Sequence, residues 1–448
     1  MRQFQETQLS LTPTWGPHEH TRELQMSARV LDASPEIAAA VHKDLLQGRR
    51  GDRGRPGLSG DQVARIVMLK QMHGLSYREL EFHLQDSAAF RAFVGLGFED
   101  RPSFQSLQAN VKRMRPETWE LINQTLIRFA RDQGIERGRT IRGDTTVVDA
   151  AIHEPADSSL LWDCVRVATR LMHRIAKRRS ALRKAFSDHT RRAKRRAYAI
   201  KFHRRRKDMV DQYRDLIRVA ESVHADAGTL VERATGIEDL QSCVSELQGL
   251  LPLMACVIDQ TRRRVIHGEK VPSAEKIVSI FEPHTDIIVK DQRETLYGHK
   301  VCLTGGKSSL ILDCVIEEGN PADATLIERT LNRHIDLFGE APRQAAFDGG
   351  FASKQNVATA KALGVQDIAF HQKRGIGITE MVRSAWVFRR LRDFRSGIEG
   401  CISTLKRAFQ MDRCNWRSEK SFHAYVWSSV ASFNLIAIAR HLLAREFA

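Results

Sequence analysis

The sequence predicts an α/β protein: a mixed sheet with flanking helices, interrupted after its first strand by a long helical insertion and preceded by an all-helical domain. Three observations carry this. Short β-branched and apolar runs bounded by turn residues occur at 140–148 and then only beyond residue 284. Between residues 158 and 251 the chain has no proline and only Gly228, Gly236 and Gly249, as long helices require. Ahead of the first strand, apolar stripes of helical period start at serine or proline and follow one another through tight turns.

Taken in order, residues 1–57 read as an arm closed by the Gly/Arg/Pro linker that ends at Pro56-Gly57. Residues 58–138 read as a helical DNA-binding domain of helix-turn-helix type. Ser59 caps a helix to His73 with Val63, Ile66, Val67, Leu69 and Met72 on one stripe, and Gly74 ends it. Ser76 caps the next helix, residues 88–94 form another, and Pro102-Ser103 and Pro116 start two more. Residues 139–157 and 270–448 make up the α/β domain, and 158–269 the insertion. Strands are expected at 140–148, 285–290, 299–303, 310–316, 344–347 and 367–370. Helices are expected at 321–337, 353–363 and through the C-terminal part.

Charge is concentrated rather than spread. Lys and Arg number 70 against 54 Asp and Glu, a net +16. Residues 170–208 alone hold 17 Lys/Arg and two acids, Asp188 and Asp208, giving 17 − 2 = +15. A solubilising helix usually alternates its signs, so a window this poor in acids points to nucleic acid. Arg178, Arg179, Arg192, Arg195, Arg196, Arg205 and Arg206 are the expected backbone contacts, which position DNA without reading it. Seven dispersed cysteines without a CxxC pair argue against a disulfide framework or a structural zinc site. The sequence shows neither a run of about 18 uncharged apolar residues nor an apolar N-terminal core, so no membrane span or secretory signal is expected. The expected compartment is the cytoplasm.

Three carboxylates stand out. Asp144 lies inside a strand of Ile, Thr and Val, where a carboxylate needs a partner or a metal. Asp348 ends an apolar strand just before Gly349-Gly350, and strand ends of open α/β sheets are where sites collect. Glu399 lies on a helix with Arg395 four residues before and Lys406 seven after, which at about 100° per residue puts all three on one face. Three acids distant in sequence can hold two divalent ions for in-line displacement at phosphorus, and oxygen ligands suit Mg²⁺ or Mn²⁺ rather than zinc. Asp149, Asp157, Asp163 and Asp313 are competing acids; Asp149, an odd number of positions from Asp144, faces the other side of a regular strand.

These residues resemble the DDE transposases of bacterial insertion sequences. The resemblance rests on Gly143-Asp144-Thr145-Thr146-Val147-Val148, on Phe347-Asp348-Gly349-Gly350-Phe351 with Asn356, and on Arg395-x3-Glu399-x6-Lys406 followed by Asn415-Trp416-Arg417 and Asn434-Leu435. Gly74-Leu75-Ser76-Tyr77-Arg78-Glu79-Leu80 and Arg101-Pro102-Ser103-Phe104 resemble the N-terminal helices of the same proteins. Such families often carry a tyrosine where Arg392 stands, and many place a β-rich insertion before the glutamate helix; here the large insertion follows the first strand and is helical. The resemblance implies an RNase H-like sheet, with Asp144, Asp348 and Glu399 as metal ligands. It also implies contacts from Arg395 and Lys406 to DNA phosphates, and a homodimer that cleaves transposon ends and joins them to target DNA. A metal-dependent nuclease without joining activity, and a non-catalytic DNA-binding regulator, are the alternatives.

Overall fold

The protein is described here from a computed structural model, in which residues 15–16, 18–48, 57–97, 99–202, 206–290, 294–371 and 374–446 are described. It divides into two compact units. One comprises the chain up to Asp149 together with the chain from His299 onward; the other is Ala150–Gly298.

The first unit begins with helices α1 (Glu19–Asp32), α2 (Pro35–Leu46), α3 (Gly60–His73), α4 (Tyr77–Asp86), α5 (Ala88–Val94), α6 (Phe104–Val111) and α7 (Pro116–Asp132). The starts of α3 and α4 are closed by capping boxes: Ser59 with Gln62 and Ser76 with Glu79 each exchange side-chain and backbone bonds. Two helices, α1 and α2, occupy a stretch for which the sequence reading gave only an arm and a linker. The linker itself, 49–56, lies outside the described residues.

Strand β1 (Thr140–Asp149) follows, and the chain returns from the second unit along β2 (Asp286–Lys290) and β3 (Glu294–Gly305), then β4 (Ile311–Ile316), β5 (Gln344–Phe347) and β6 (Asp367–Phe370). In the first unit the strand order is β4-β3-β1-β5-β6. β4 is antiparallel to β3, while β5 is parallel to β1 and β6 to β5. This mixed sheet is consistent with the RNase H-like arrangement expected. Its helices are, in the second unit, α8 (Asp157–Arg178), α9 (Thr190–Phe202), α10 (Arg206–Ala234) and α11 (Gln241–Thr261), and in the first α12 (Ile327–Phe338), α13 (Lys354–Ala362), α14 (Ile378–Met381), α15 (Ala385–Ala408) and α16 (Glu419–Glu446). The helix expected from 321 begins only at Ile327, because Asp323–Thr325 forms a short turn.

Two helical stretches, Glu238–Ile266 and Glu419–Glu446, have the length and hydropathy of a membrane span, where the sequence reading expected none. The apolar window of the second is 89% buried, and α7, α1 and α3 pack around it, so its apolarity is that of a core helix. Polar bonds fix the packing: Asn434 accepts from the Ile311 backbone N–H at 2.9 Å and donates to the Ile311 carbonyl and to Asn123, both at 2.7 Å. The first stretch buries Leu247, Leu250, Met254 and Val257 in the core of the second unit, against α8 and α10.

Candidate active site

The parallel register of β1 and β5 pairs Gly143 with Phe347. Asp144 and Asp348 are the next residues on these neighbouring strands, so two acids 204 positions apart in sequence arrive side by side. The register is held by packing: a side chain at Gly143 would place its Cβ 2.4 Å from the Phe347 ring. The site lies at the end of β5, where the carbonyl row of a parallel sheet opens.

Helix α15 crosses this part of the sheet. Ser384 caps its start, accepting from the Val387 N–H at 3.3 Å. Arg142, two residues before Asp144 and on the same face of β1, donates to the Phe394 carbonyl at 3.0 Å and lies 4.7 Å from the Phe394 ring. Its guanidinium lies so close to Gly397 that a Cβ there would fall 1.8 Å from Nη1. Glycine at 397 is what lets α15 settle on β1 at that depth.

With α15 placed, Arg395 is carried into the acids. Its Nη2 lies 2.9 Å from Asp144 Oδ2 and 3.4 Å from Asp348 Oδ1, and its Nη1 lies 2.7 Å from Glu399 Oε1. One guanidinium, only 8% exposed, thus joins all three carboxylates singled out from the sequence. Burial pushes the Asp144 carboxyl above its usual range, Arg395 pulls it down, the Thr145 backbone N–H bonded at 2.8 Å also lowers it, and Asp348 and Glu399 push it back up. Arg395 Nε is buried and makes no hydrogen bond among the described residues.

Lys406, two turns beyond Glu399, donates from Nζ to the Val147 carbonyl at 2.8 Å and lies 3.5 Å from Asp412. The face shared by Arg395, Glu399 and Lys406 is therefore the face turned to β1. Asp323 is an acid the sequence reading missed. Its Oδ1 accepts from Thr145 Oγ1 at 3.3 Å and from Lys300 Nζ at 3.1 Å, and a Cβ at Gly350 would meet its Oδ2 at 2.7 Å. These contacts hold it in a turn beside the site.

Of the competing acids, Asp313, Asp157 and Asp163 pair with arginines away from the site. Asp313 binds Arg333 through both oxygens at 2.6 Å. The Asp149 backbone forms a β-bridge with Arg413, its N–H donating to the Asp412 carbonyl at 3.0 Å and its carbonyl accepting from the Cys414 N–H at 2.8 Å, which places it beyond the regular pairing of β1 with β5. In the second unit Asp157 pairs with Arg264 at 3.0 Å and Asp163 with Arg166 at 2.6 Å.

Among the described residues no three His, Cys, Asp or Glu side chains close to metal-ligating spacing. The arrangement explains this, since the Arg395 guanidinium stands between the acids. A cation thus already sits where the three carboxylates converge, and their oxygens are donors suited to a hard divalent ion. The donor set fits such ions once the guanidinium yields its place.

The basic residues of the second unit lie on its surface. Arg178 donates to the Asp239 carbonyl at 2.7 Å, Arg179 to the Asp239 carboxylate at 2.8 Å, and Arg192 and Arg196 both bind Asp215. Exposed pairs of this kind contribute about 0–1 kcal/mol, little enough for a phosphate to replace them. Arg195 is exposed and makes no ion pair among the described residues. Arg206 opens α10, and Arg205 lies outside the described residues.

Two protein families match the chain: one described as Transposase domain (DUF772) over residues 17–113, the other as Transposase DDE domain over residues 283–435. Together they take in more than half of the chain, which belongs to the DDE transposases of insertion sequences. The DDE match includes Asp348 and Glu399; Asp144 lies outside it and reaches them through the β1–β5 register. Neither a curated protein nor a solved structure matches the chain.

Proposed function

We propose that this transposase binds the terminal inverted repeats of its element, cleaves them to free 3′-hydroxyl ends, and joins those ends to target DNA, acting as a homodimer in the bacterial cytoplasm. The observation that carries the reading is the convergence of Asp144, Asp348 and Glu399 on one cation. Divalent ions held by these three, Mg²⁺ or Mn²⁺, would supply the positive charge that in-line displacement at phosphorus requires on the attacking and leaving oxygens. The remaining work belongs to the chain. Adjacent strands fix two of the acids, so the site needs little rearrangement before reaction. Arg395 neutralises the acids when no ion is present, and its unsatisfied Nε offers a buried donor to a substrate phosphate oxygen. Lys406 lies further along β1, placed to meet the backbone next to the scissile bond. The exposed arginines of the second unit bind more distant phosphates without reading sequence. The helices α4–α6 are the elements proposed to read the repeats.

Incubating the protein and Mg²⁺ with intact or pre-cleaved end fragments and a supercoiled plasmid tests this. Insertion of the fragments into the plasmid supports the reading. Cleavage of intact ends without insertion would identify a nuclease, and repeat binding with neither reaction a regulator.

A further inference from the structure

A cavity of about 720 Å³ lies in the first unit, where α3, α4 and the end of α6 face the loop after α15 and the start of α16. Six cationic side chains line it: Lys70, Lys112, Arg113, Arg115, Arg417 and Lys420. Its described lining contains no carboxylate. Arg115 is held by Asp44 at 2.6 Å and Arg113 reaches the Leu45 carbonyl at 3.5 Å. The other four make no ion pair among the described residues.

Lys70 is the unusual member. It is only 4% exposed, and its ammonium has no hydrogen-bond or ion-pair partner among the described residues; the Tyr77 ring lies 5.3 Å away. A side chain so largely buried that ends in an unpaired ammonium at a cavity wall is costly to charge. Burial lowers its pKa to about 8, against weak opposing pulls from Cys414 and Glu79. Trp416, which also lines the cavity, has a buried indole N–H without an acceptor. Four cations without an ion-pair partner among the described residues, beside a buried indole N–H that lacks an acceptor, describe a site shaped for an anion that the protein itself does not provide.

The cavity is linked to the acids by β1. The Asp149 carbonyl binds the Cys414 N–H, two residues before Trp416. Asp149 is five residues from Asp144, about 16 Å along a strand. Lys406 on the Val147 carbonyl marks the way between them. That span matches about five base pairs of duplex, at about 3.4 Å each.

We propose that this cavity is a phosphate-binding subsite for DNA, in which Lys70, Lys112, Arg417 and Lys420 hold backbone phosphates of the duplex whose scissile bond lies at Asp144, Asp348 and Glu399. The proposal rests on the transposase reading for the identity of the duplex. It assigns DNA contacts to residues outside both the basic second unit and the catalytic helix.

The test uses full-length protein in EDTA and a fluorescent 30-base-pair duplex of the element's end, titrated across a range of salt. Lys70→Met removes the charge and keeps most of the volume; Arg417→Ala with Lys420→Ala removes two exposed cations. Each variant is expected to bind about tenfold more weakly, with the slope of log affinity against log salt flattened by about 0.9 per lost phosphate contact. Lys70→Met is expected to melt no lower than the parent, which separates lost binding from lost folding. Affinities and slopes equal to the parent's would overturn the proposal. So would inorganic pyrophosphate stabilising the parent but not Lys70→Met while duplex binding stays unchanged, since the cavity would then serve small anions. Weakened duplex binding in these variants alongside failed plasmid insertion would leave the subsite standing and remove the joining reaction. Normal insertion with unaltered variants would do the reverse.

Discussion

Replacing Arg395 with glutamine separates its two assigned tasks, neutralising the acids and yielding to metal. In the metal-free protein the substitution leaves three carboxylates facing one another. Only the Asp144 arm is buried on both sides, with side chains 9% and 16% exposed. Breaking such a buried pair costs about 3–5 kcal/mol. The Asp348 and Glu399 arms, 40% and 59% exposed on the acid side, add about 0–1 kcal/mol each. A loss of at least about 3 kcal/mol is expected, or at least roughly 6–12 °C in melting temperature at about 2–4 °C per kcal/mol. The sign changes in Mn²⁺. Ions then bind acids no longer occupied by guanidinium, so the ion-induced rise in melting temperature should exceed the parent's; binding at 100 times Kd stabilises by about 2.7 kcal/mol. Thermal melts by circular dichroism, in EDTA and in millimolar Mn²⁺, read both. A variant that melts with the parent in EDTA, or gains no more from Mn²⁺ than the parent does, would refute the placement of Arg395 among the acids.

Other expectations follow from packing and burial. Gly143→Ala forces a methyl group into the Phe347 ring; overpacking of this kind costs about 1–3 kcal/mol, and both melting temperature and DNA cleavage should fall because the strands that align Asp144 and Asp348 are pushed apart. Asn434→Ala strands the buried Ile311 N–H and Asn123 amide, and should lower stability by about 2–3 kcal/mol in urea unfolding without changing affinity for duplex. The Lys70 pKa, lowered to about 8 among Tyr77, Cys414, Glu79 and the cations of the cavity, makes stability depend on pH. The unfolded chain holds this proton up to its ordinary pKa and the folded chain loses it earlier, so the cost of the charge is full below pH 8 and fades as pH rises. Lys70→Met should therefore be more stable than the parent at pH 7, with the gap narrowing towards pH 9.5 in paired melts.

Much of the catalytic unit was legible because its signals are local. The strands of β1, β5 and β6 announce themselves by β-branched and apolar runs, and the placement of Asp144 and Asp348 in those runs marked them as carboxylates needing a partner. The Arg395, Glu399 and Lys406 spacing is a property of any helix, so their common face could be read without a structure. What the helix could not say is where that face points. A cation beside a carboxylate reads as a phosphate ligand or as a counter-ion to the acids, and only the depth of α15, set by Gly397 against Arg142, shows Arg395 among them. Asp323 was invisible for a similar reason: its contacts come from Thr145 and Lys300, both distant in sequence. Lys70 carries no local signal, since the chain that lines its cavity, around Trp416, lies more than 340 residues away. The helices α1 and α2 were missed because a mixed N-terminal composition reads as an arm; their burial comes partly from α16, as in the pairing of Glu23 with Arg440.

The most direct test of the central claim is Mg²⁺-dependent cleavage at the flanks of the inverted repeats, measured for the parent and for Asp144→Asn, Asp348→Asn and Glu399→Gln. The three acids are assigned to one reacting centre, so each variant should lose cleavage by at least about a hundredfold while binding the repeat duplex as tightly as the parent. Cleavage by any one of them at the parent's rate would show that its carboxylate takes no part in the chemistry.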